Sequence, residues 1–313
     1  MRIPSVDVLV VNAGSTSLKL HLVRGGDSEP VDDFVPADAV GHRVVHGGDR
    51  FQAPTLVDER LERAIEELTV LAPLHNRPAL REIRRAREAL PDVPHVAVFD
   101  TAFHRTLPAA ASTYAVPARW REEWGVRRYG FHGISVQWVS EQVGVPRLVV
   151  CHLGGGSSVT AVRDGRSVDT TMGFSPLEGV PMTTRSGSVD PGALVYLLRE
   201  RGLSVTELEH ALEHESGLAG LSGSGSGDVR EASPLALDVF VHRVAAAVAT
   251  MAAACGGIDV LAFTGGIGEH AGELRERIVE RVRFLGDFRV EVVPAREELV
   301  IAAETRRLLE AAM

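Results

Sequence analysis

Three glycine-rich turns carry the residues of this 313-residue chain most able to do chemistry. The first, Asn12–Ser17, lies between the apolar runs of 6-VDVLVVNAGSTSLKLHLVRGG-26, and Lys19 follows it. The second, Gly154–Ser158, lies in 147-RLVVCHLGGGSSVTAVRDG-165. The third, Gly265–Gly268, ends the apolar run in 258-IDVLAFTGGIGEH-270. One such turn means little, because glycine is the default residue of any tight turn. Three at the ends of apolar runs, two of them with hydroxyls, mean more. Backbone N–H groups that converge without side chains form an anion nest, and the hydroxyls and Lys19 add donors. A polyphosphate is the ligand such groups fit. The spacing is not GxxxxGK[ST], and the first turn returns into a strand instead of opening a crossover, so neither a P-loop nor a dinucleotide fingerprint is present.

Turns of this kind must be held by strands. Residues 6–11 and 18–23 alternate with period two and form a hairpin. The run at 147–165 nearly repeats it: Leu-Val-Val, a small polar turn, alternating apolar residues and a charged Gly turn. A repeat so widely spaced predicts two related domains, not a short-period solenoid. Between them come a Val-rich strand in 41-GHRVVHGGDRF-51 and a helix over about 58–71, ended by Pro73. A second helix follows from about 78 to 90, then a strand, 94-PHVAVFDTAFH-104, that delivers Asp100 to a loop. The segment 125-GVRRYGFHGIS-135 has no period and reads as a functional loop, with a helix over about 136–143 behind it. Asp190-Pro191 and Ser233-Pro234 are N-cap and N1 pairs that open helices, stopped by Gly202 and by Gly256-Gly257. A strand at 288–293 and a helix at about 295–311 complete an α/β pattern. The Gly/Ser tract 216–231 reads by composition as a flexible linker, although a loop that wraps a nucleotide would look the same.

Composition removes other classes. Apolar residues are 45% and charged residues 24%, as in a globular enzyme. The longest apolar helix, 235–255, is interrupted by Asp238, His242 and Arg243, so it is a core helix and no membrane partner is expected. The net charge of −9, without any Lys/Arg block, argues against nucleic acid as a partner. Cys151 and Cys255 form no framework, which fits buried thiols in a reducing cytoplasm.

Tandem phosphate hairpins with a later Gly-Gly turn resemble the actin, Hsp70 and sugar-kinase superfamily. The match narrows further. NAGSTSLK, GHRVVHGG, LAPLHN, FDTAFH, RRYGFHG, CHLGGGSS, TMGFSPLEGVPMTTRSGSVDP, SGLAGLSG, GDVR, FTGGIGEH and VVPAREELVIAAET stand in the order they have in the acetate kinase family, over residues 6–306. The resemblance implies two related actin-like (ribonuclease H-like) domains with a nucleotide cleft between them. Residues 1–141 would form the first, 142–295 the second, and 296–313 a helix returning to the first.

It also implies site residues. Asn12 and Glu297 would hold Mg²⁺ or Mn²⁺, and Lys19 would meet the phosphates. Arg43 would bind the carboxylate, with Val45, Leu74, Phe131 and Pro176 around its methyl group. Asp100, His132 and Arg185 would be catalytic. ATP or ADP would lie on His152, Leu153, Gly154, Gly155 and Gly156, on Asp228, Val229 and Arg230, and on Gly266, Ile267, Gly268, Glu269 and His270. The implied reaction is reversible phosphoryl transfer from ATP to acetate in a cytoplasmic homodimer, with propionate or butyrate as alternative acceptors. A chaperone-like or filament-forming ATPase would need the turns but not Arg43, Asp100, His132 and Arg185. A nucleotide-binding relative without catalysis remains the third reading. The chain is shorter than the family pattern, with losses outside the motifs. Gly155 replaces an Asn, Val136 follows an altered GFHGIS, Thr183 replaces a Gly, and Ala295-Arg296 precede Glu297 in place of Thr-Asn.

Overall fold

The computed structural model describes residues 6–14, 18–71, 73–223 and 225–312; of the first glycine turn, Ser15, Thr16 and Ser17 lie outside the described residues, as do the side chains of Leu71, Pro73 and Leu74. Two compact units divide the chain. Unit 1 comprises residues 1–105, 131–138 and 296–313; unit 2 comprises 106–130 and 139–295. Residues 106–130, expected in the first domain, thus belong to the second. Side-chain bonds explain this: Thr106 Oγ1 donates to the Ser167 carbonyl at 2.8 Å, and Arg128 Nη1 to the Thr171 carbonyl at 2.9 Å.

Each unit is built on one sheet, and the sheets share a strand order. Unit 1 has β1 (Val8–Ala13), β2 (Leu18–Arg24), β3 (Asp27–Val31), β4 (Ala39–Val44), β5 (Thr55–Leu56) and β6 (His95–Phe99), arranged β3-β2-β1-β4-β6-β5. Unit 2 has β7 (Arg147–Leu153), β8 (Ser157–Arg163), β9 (Arg166–Thr170), β10 (Val260–Thr264) and β11 (Arg289–Val292), arranged β11-β10-β7-β8-β9. In both, three antiparallel strands form a meander and the first of them pairs in parallel with the fourth. This is the actin-like α/β architecture expected, and the repeated hairpin is its sequence trace.

Period-two alternation assigns the faces of unit 1. Val8 and Val10 on β1, with Val96 and Val98 on β6, pack against Val300 and Ile301 of the helix Glu297–Ala312. Leu9 and Val11 join Leu20, Val40 and Ala86 on the other face. Each fully buried Val or Leu contributes roughly 1.5–3 kcal/mol. Gly41 on β4 allows close approach of the helix: a Cβ there would lie 2.6 Å from Thr305 Oγ1 and 2.8 Å from Ile301 Cγ2. In unit 2 the helix Pro234–Cys255 is long and apolar enough to cross a membrane, but Phe240, Val244, Val248 and Met251 bury it against Val149, Cys151 and Val159 of the sheet. Ser233 caps it through a bond from the Ala236 amide, and Gly256, at φ 74°, stops it.

Several local expectations change. The second helix of unit 1 runs Pro73–Ala89, so Pro73 opens it and Pro78 lies inside it. The helix behind the GFHG loop starts at Gly133. The third glycine turn is one helical turn, Gly265–His270, whose last carbonyls accept from Arg275 Nη1. The Gly/Ser tract is no free linker: Gly217–Ser222 is a helix that buries Gly217, Leu218 and Ala219. Small residues there serve close contact, since a Cβ on Gly217 would come within 2.2 Å of the Met182 carbonyl.

Candidate active site

In unit 1 the neighbouring parallel strands β4 and β6 set two charges side by side. Arg43 pairs in register with Val98, and Asp100 follows the end of β6. Arg43 donates to Asp100 Oδ2 from Nε at 3.1 Å and from Nη2 at 2.6 Å. Its side chain is 13% exposed and that of Asp100 only 1%. Arg43 Nη1 also donates to Asn12 Oδ1 at 3.3 Å, and Asn12 Nδ2 donates to Glu297 Oε2 at 2.9 Å. Glu297, Asn12, Arg43 and Asp100 thus form one hydrogen-bonded row, drawn from the C-terminal helix, β1, β4 and the end of β6. Burial raises the Asp100 carboxyl above the usual range; Arg43 opposes the shift and the Glu297 charge adds to it. Asp100 Oδ1 is buried without a hydrogen-bond partner. Burial would lower the Arg43 guanidinium, but Asp100 and Glu297 together hold it above its ordinary value.

The backbone around this row is equally constrained. The Asp100 amide donates to the Val44 carbonyl at 3.0 Å, and the Gly133 amide to the Asp100 carbonyl at 3.0 Å. No side chain fits at Gly133, where a Cβ would stand 2.0 Å from that carbonyl oxygen. His132 just before it is buried and holds φ at 58°, a left-handed conformation that costs a non-glycine residue about 1–3 kcal/mol. Val45 and Phe131 are buried; Phe131 meets the His46 ring edge-on at 5.3 Å, and its carbonyl is 2.9 Å from His104 Nε2. The side chain of Leu74 is outside the described residues. Asn76, which sequence reasoning passed over, pins the HGG turn by accepting from the His46 amide at 3.1 Å and donating to its carbonyl at 3.0 Å. Lys19 is exposed on β2, opposite Asn12 in register.

A donor set of one carboxylate and one amide fits a divalent cation of the magnesium kind. Such an ion keeps most of its waters and takes one or two carboxylates beside substrate phosphates. The described residues contain no group of three or more His, Cys, Asp or Glu that could hold a metal without a nucleotide.

In unit 2, Thr183 touches two of the three predicted nucleotide segments, and the third lies beside the first. The Thr183 hydroxyl donates to the Gly155 carbonyl at 3.2 Å, and a Cβ on Gly227, just before Asp228, would come within 2.8 Å of Thr183 Cβ. The Gly266 amide lies 3.6 Å from where a Gly154 Cβ would be. Gly155 and Gly266 are exposed, with open space above them, whereas Leu153, Gly154, Ile267 and Gly268 are buried. His152 and Gly156 are half-buried and His270 exposed. Glu269 is turned to the backbone, accepting from the amides of Gly265 and Ala295 at 3.1 and 3.0 Å. Asp228 accepts from the Arg230 amide and guanidinium, and those bonds pull its carboxyl down to about 2. Val229 packs on the core.

Arg185, also in unit 2, is paired with Glu213, Nε to Oε2 at 3.1 Å, and donates from Nη1 to the carbonyl of buried Pro176 at 3.3 Å. A cavity of about 680 Å³ in this unit is lined by Asp169, Glu178, Ser186, Arg243 and Met251, and by none of the residues expected to bind substrate, metal or nucleotide.

Comparison with known proteins identifies a family. The family model described as "Acetokinase family" matches residues 31–304. The acetate kinase of Deinococcus deserti is 47% identical over 87% of this chain and 78% of its own length. That of Protochlamydia amoebophila is 46% identical over 83% and 69%. Among solved structures, a propionate kinase from Francisella tularensis superposes with a TM-score of 0.87 at 33% identity, covering 95% of this chain and 98% of that one. The Porphyromonas gingivalis acetate kinase gives 0.85 at 31%, covering 97% and 99%.

Proposed function

Because the chain belongs to the acetokinase family, we propose that it moves the terminal phosphoryl group of ATP reversibly onto acetate, and that Arg43, Asp100, His132 and Arg185 carry the reaction. The activity class is that of a carboxylate kinase. The observation that carries the residue assignment is the part-buried row Glu297–Asn12–Arg43–Asp100.

A carboxylic acid with a pKa of roughly 4 is ionised at neutral pH, so the nucleophile has no proton to surrender. Catalysis reduces to positioning and neutralisation of charge in an in-line transfer. Arg43 offers the carboxylate a fixed guanidinium, and Asp100 fixes it by taking two of its N–H groups. Asp100 is therefore a positioning group for Arg43, not a base. His132 and Arg185 supply donors to the equatorial oxygens of the transferring group. Glu297 and Asn12 would hold Mg²⁺, which would neutralise phosphate charge when bound. Val45, Leu74, Phe131 and Pro176 would bound the acyl methyl. His152–Gly156, Asp228–Arg230, Gly266–His270 and Lys19 would receive the nucleotide.

A second copy of the chain is the partner favoured by the surface of unit 2. The helices Pro191–Glu200 and Val205–His214 have no buried residue, and Val189, Val195, Tyr196 and Val205 are exposed apolar side chains beside them. Light scattering at micromolar concentration should give twice the chain mass. The two buried free thiols suit a reducing cytoplasm.

Hydroxamate trapping of acyl phosphate, with ATP-Mg²⁺ and formate, acetate, propionate or butyrate in turn, tests the function. Acetate should give the highest kcat/KM. Preference for propionate would correct the substrate. No hydroxamate from any acid, with ATP still bound, would reduce the protein to a nucleotide-binding relative.

A further inference from the structure

Arg185 sits in a stretch, 171–190, that contains neither helix nor strand. No ladder therefore orients it, yet its guanidinium is only 12% exposed. Its backbone is held by the neighbouring segment 212–219. The Ser186 amide donates to the Leu212 carbonyl at 3.0 Å, the Ser216 amide to the Thr184 carbonyl at 3.0 Å, and the Leu218 amide to the Met182 carbonyl at 2.9 Å. Thr184 Oγ1 donates to the carbonyl of Glu213 itself at 2.9 Å. Those bonds set the Cα of Arg185 but leave four side-chain torsions undetermined.

An ion pair and hydrogen bonds then orient the side chain. The carboxylate of Glu213, in the last turn of the helix Val205–His214, lies 3.1 Å from Nε, and Nη1 donates to the Pro176 carbonyl and to Met182 Sδ. Nε and Nη1 lie in the plane of the guanidinium, so a carboxylate held beside one and an acceptor on the other bias its rotation as well as its position. The Glu213 carboxylate is 15% exposed and compensates the buried cation, whose pKa burial lowers and Glu213 raises. A buried guanidinium without such a partner would swing outward to water.

From this geometry we infer that Glu213 is the positioning residue of Arg185, so that the stabilisation Arg185 gives the transferring phosphoryl group depends on the Glu213 carboxylate. No motif contains Glu213. The inference rests on the phosphoryl role of Arg185 given above and assigns that role a second residue, outside the substrates.

A double-mutant cycle tests it. Glu213→Gln should lower kcat on the order of 10-fold to 100-fold, the scale of a misplaced reacting group, with KM for ATP and for acetate within about twofold. Glu213→Asp should recover part of the loss. In an Arg185→Ala background, Glu213→Gln should cost nothing further, because the residue it positions is gone. Guanidinium chloride at millimolar concentration should rescue Arg185→Ala partially, and should fail in the double variant. Thermal melting of each variant separates loss of fold from loss of position. Equal factors for Glu213→Gln in both backgrounds, with guanidinium rescue unaffected, would overturn the inference while leaving Arg185 in its role. Near-normal kcat in Arg185→Ala would remove the role of Arg185, and this inference with it.

Discussion

In unit 1, Arg43 stands on β4 and Asp100 just past the end of the adjacent parallel β6, so the β4–β6 ladder sets their spacing before any side chain is considered. In unit 2, Arg185 stands in an irregular segment, and what aims it is the ion pair with Glu213 and the hydrogen bond to Pro176. The sheets beneath have the same strand order. Equal architecture therefore does not imply equal ways of holding charge. A strand end gives a rigid site that fails as a whole, and an irregular loop gives one whose accuracy depends on a few separable contacts.

The largest effect should come from breaking the rigid site. Arg43→Ala leaves Asp100 buried and uncompensated, so it should cost roughly 3–5 kcal/mol of stability as well as about 10²–10³ in turnover. Urea denaturation and steady-state kinetics on one preparation would check both. Loss of turnover with unchanged stability would mean that Asp100 finds another partner.

Acid should expose the same unit next. His104 is buried and neutral, its pKa pushed down to about 4 by burial, and His42 is driven down in the same direction by burial and by the neighbouring His95 and Arg87 charges. A group whose folded pKa lies below its unfolded value contributes stability that is whole above the unfolded pKa, 6.5 here, and is lost as pH falls toward the folded one. His104 alone would account for up to about 3 kcal/mol between pH 6.5 and 4. Denaturation midpoints across that window should fall less steeply in His104→Gln, and an equal slope would exclude His104 as the sensor.

Gly133→Ala tests the rigidity of the backbone at Asp100. A methyl 2.0 Å from a carbonyl oxygen cannot be absorbed by a side-chain rotation, so overpacking of about 1–3 kcal/mol is expected, with KM for acetate rising as Asp100 shifts. Unaltered KM would show that the Arg43–Asp100 pair tolerates displacement of its own backbone.

The smallest change sharpens the contrast from the other side. Gly155 in unit 2 is exposed, with nothing within 4 Å of an added Cβ. Gly155→Asn should leave the melting temperature alone and tighten ATP binding by up to about 1 kcal/mol, the value of one neutral hydrogen bond. Calorimetric titration showing weaker binding would mean that the exposed turn needs its open backbone.

The hairpins, the delivery of Asp100 by β6 and the capped helices were legible in the sequence because each rests on local periodicity or on one capping residue. The third strand of each meander was not. β3 is an edge strand, DSEPV, largely solvent-exposed and containing Pro30, so it shows no alternation and only one β-branched residue, Val31. β9, RSVDT, occupies the matching edge. The helix Gly217–Ser222 was hidden by a composition that signals flexibility in isolation and close packing in context. At the site, Arg43 and Asp100 could be singled out by motif, and a chemist reading the chain would meet them in the expected places. Asn76 closes the LAPLHN motif without a role legible there, and Glu213 lies in no motif, because a side chain that meets a distant backbone or cation leaves no periodic trace.

The bond between Asn12 and Glu297 joins positions 285 residues apart, and the helix that carries Glu297 also seals one face of β1, β4 and β6. On a translating ribosome, β1 to β6 therefore emerge long before the surface that covers them, and all of unit 2 is synthesised in between. Unit 2, nearly contiguous in the chain, can complete its core while unit 1 still exposes a valine-rich sheet. High sequence separation slows such closure and prolongs the period in which unpaired apolar surface is open to aggregation. The row Glu297–Asn12–Arg43–Asp100 is then completed only in the final docking step, when Glu297 reaches Asn12.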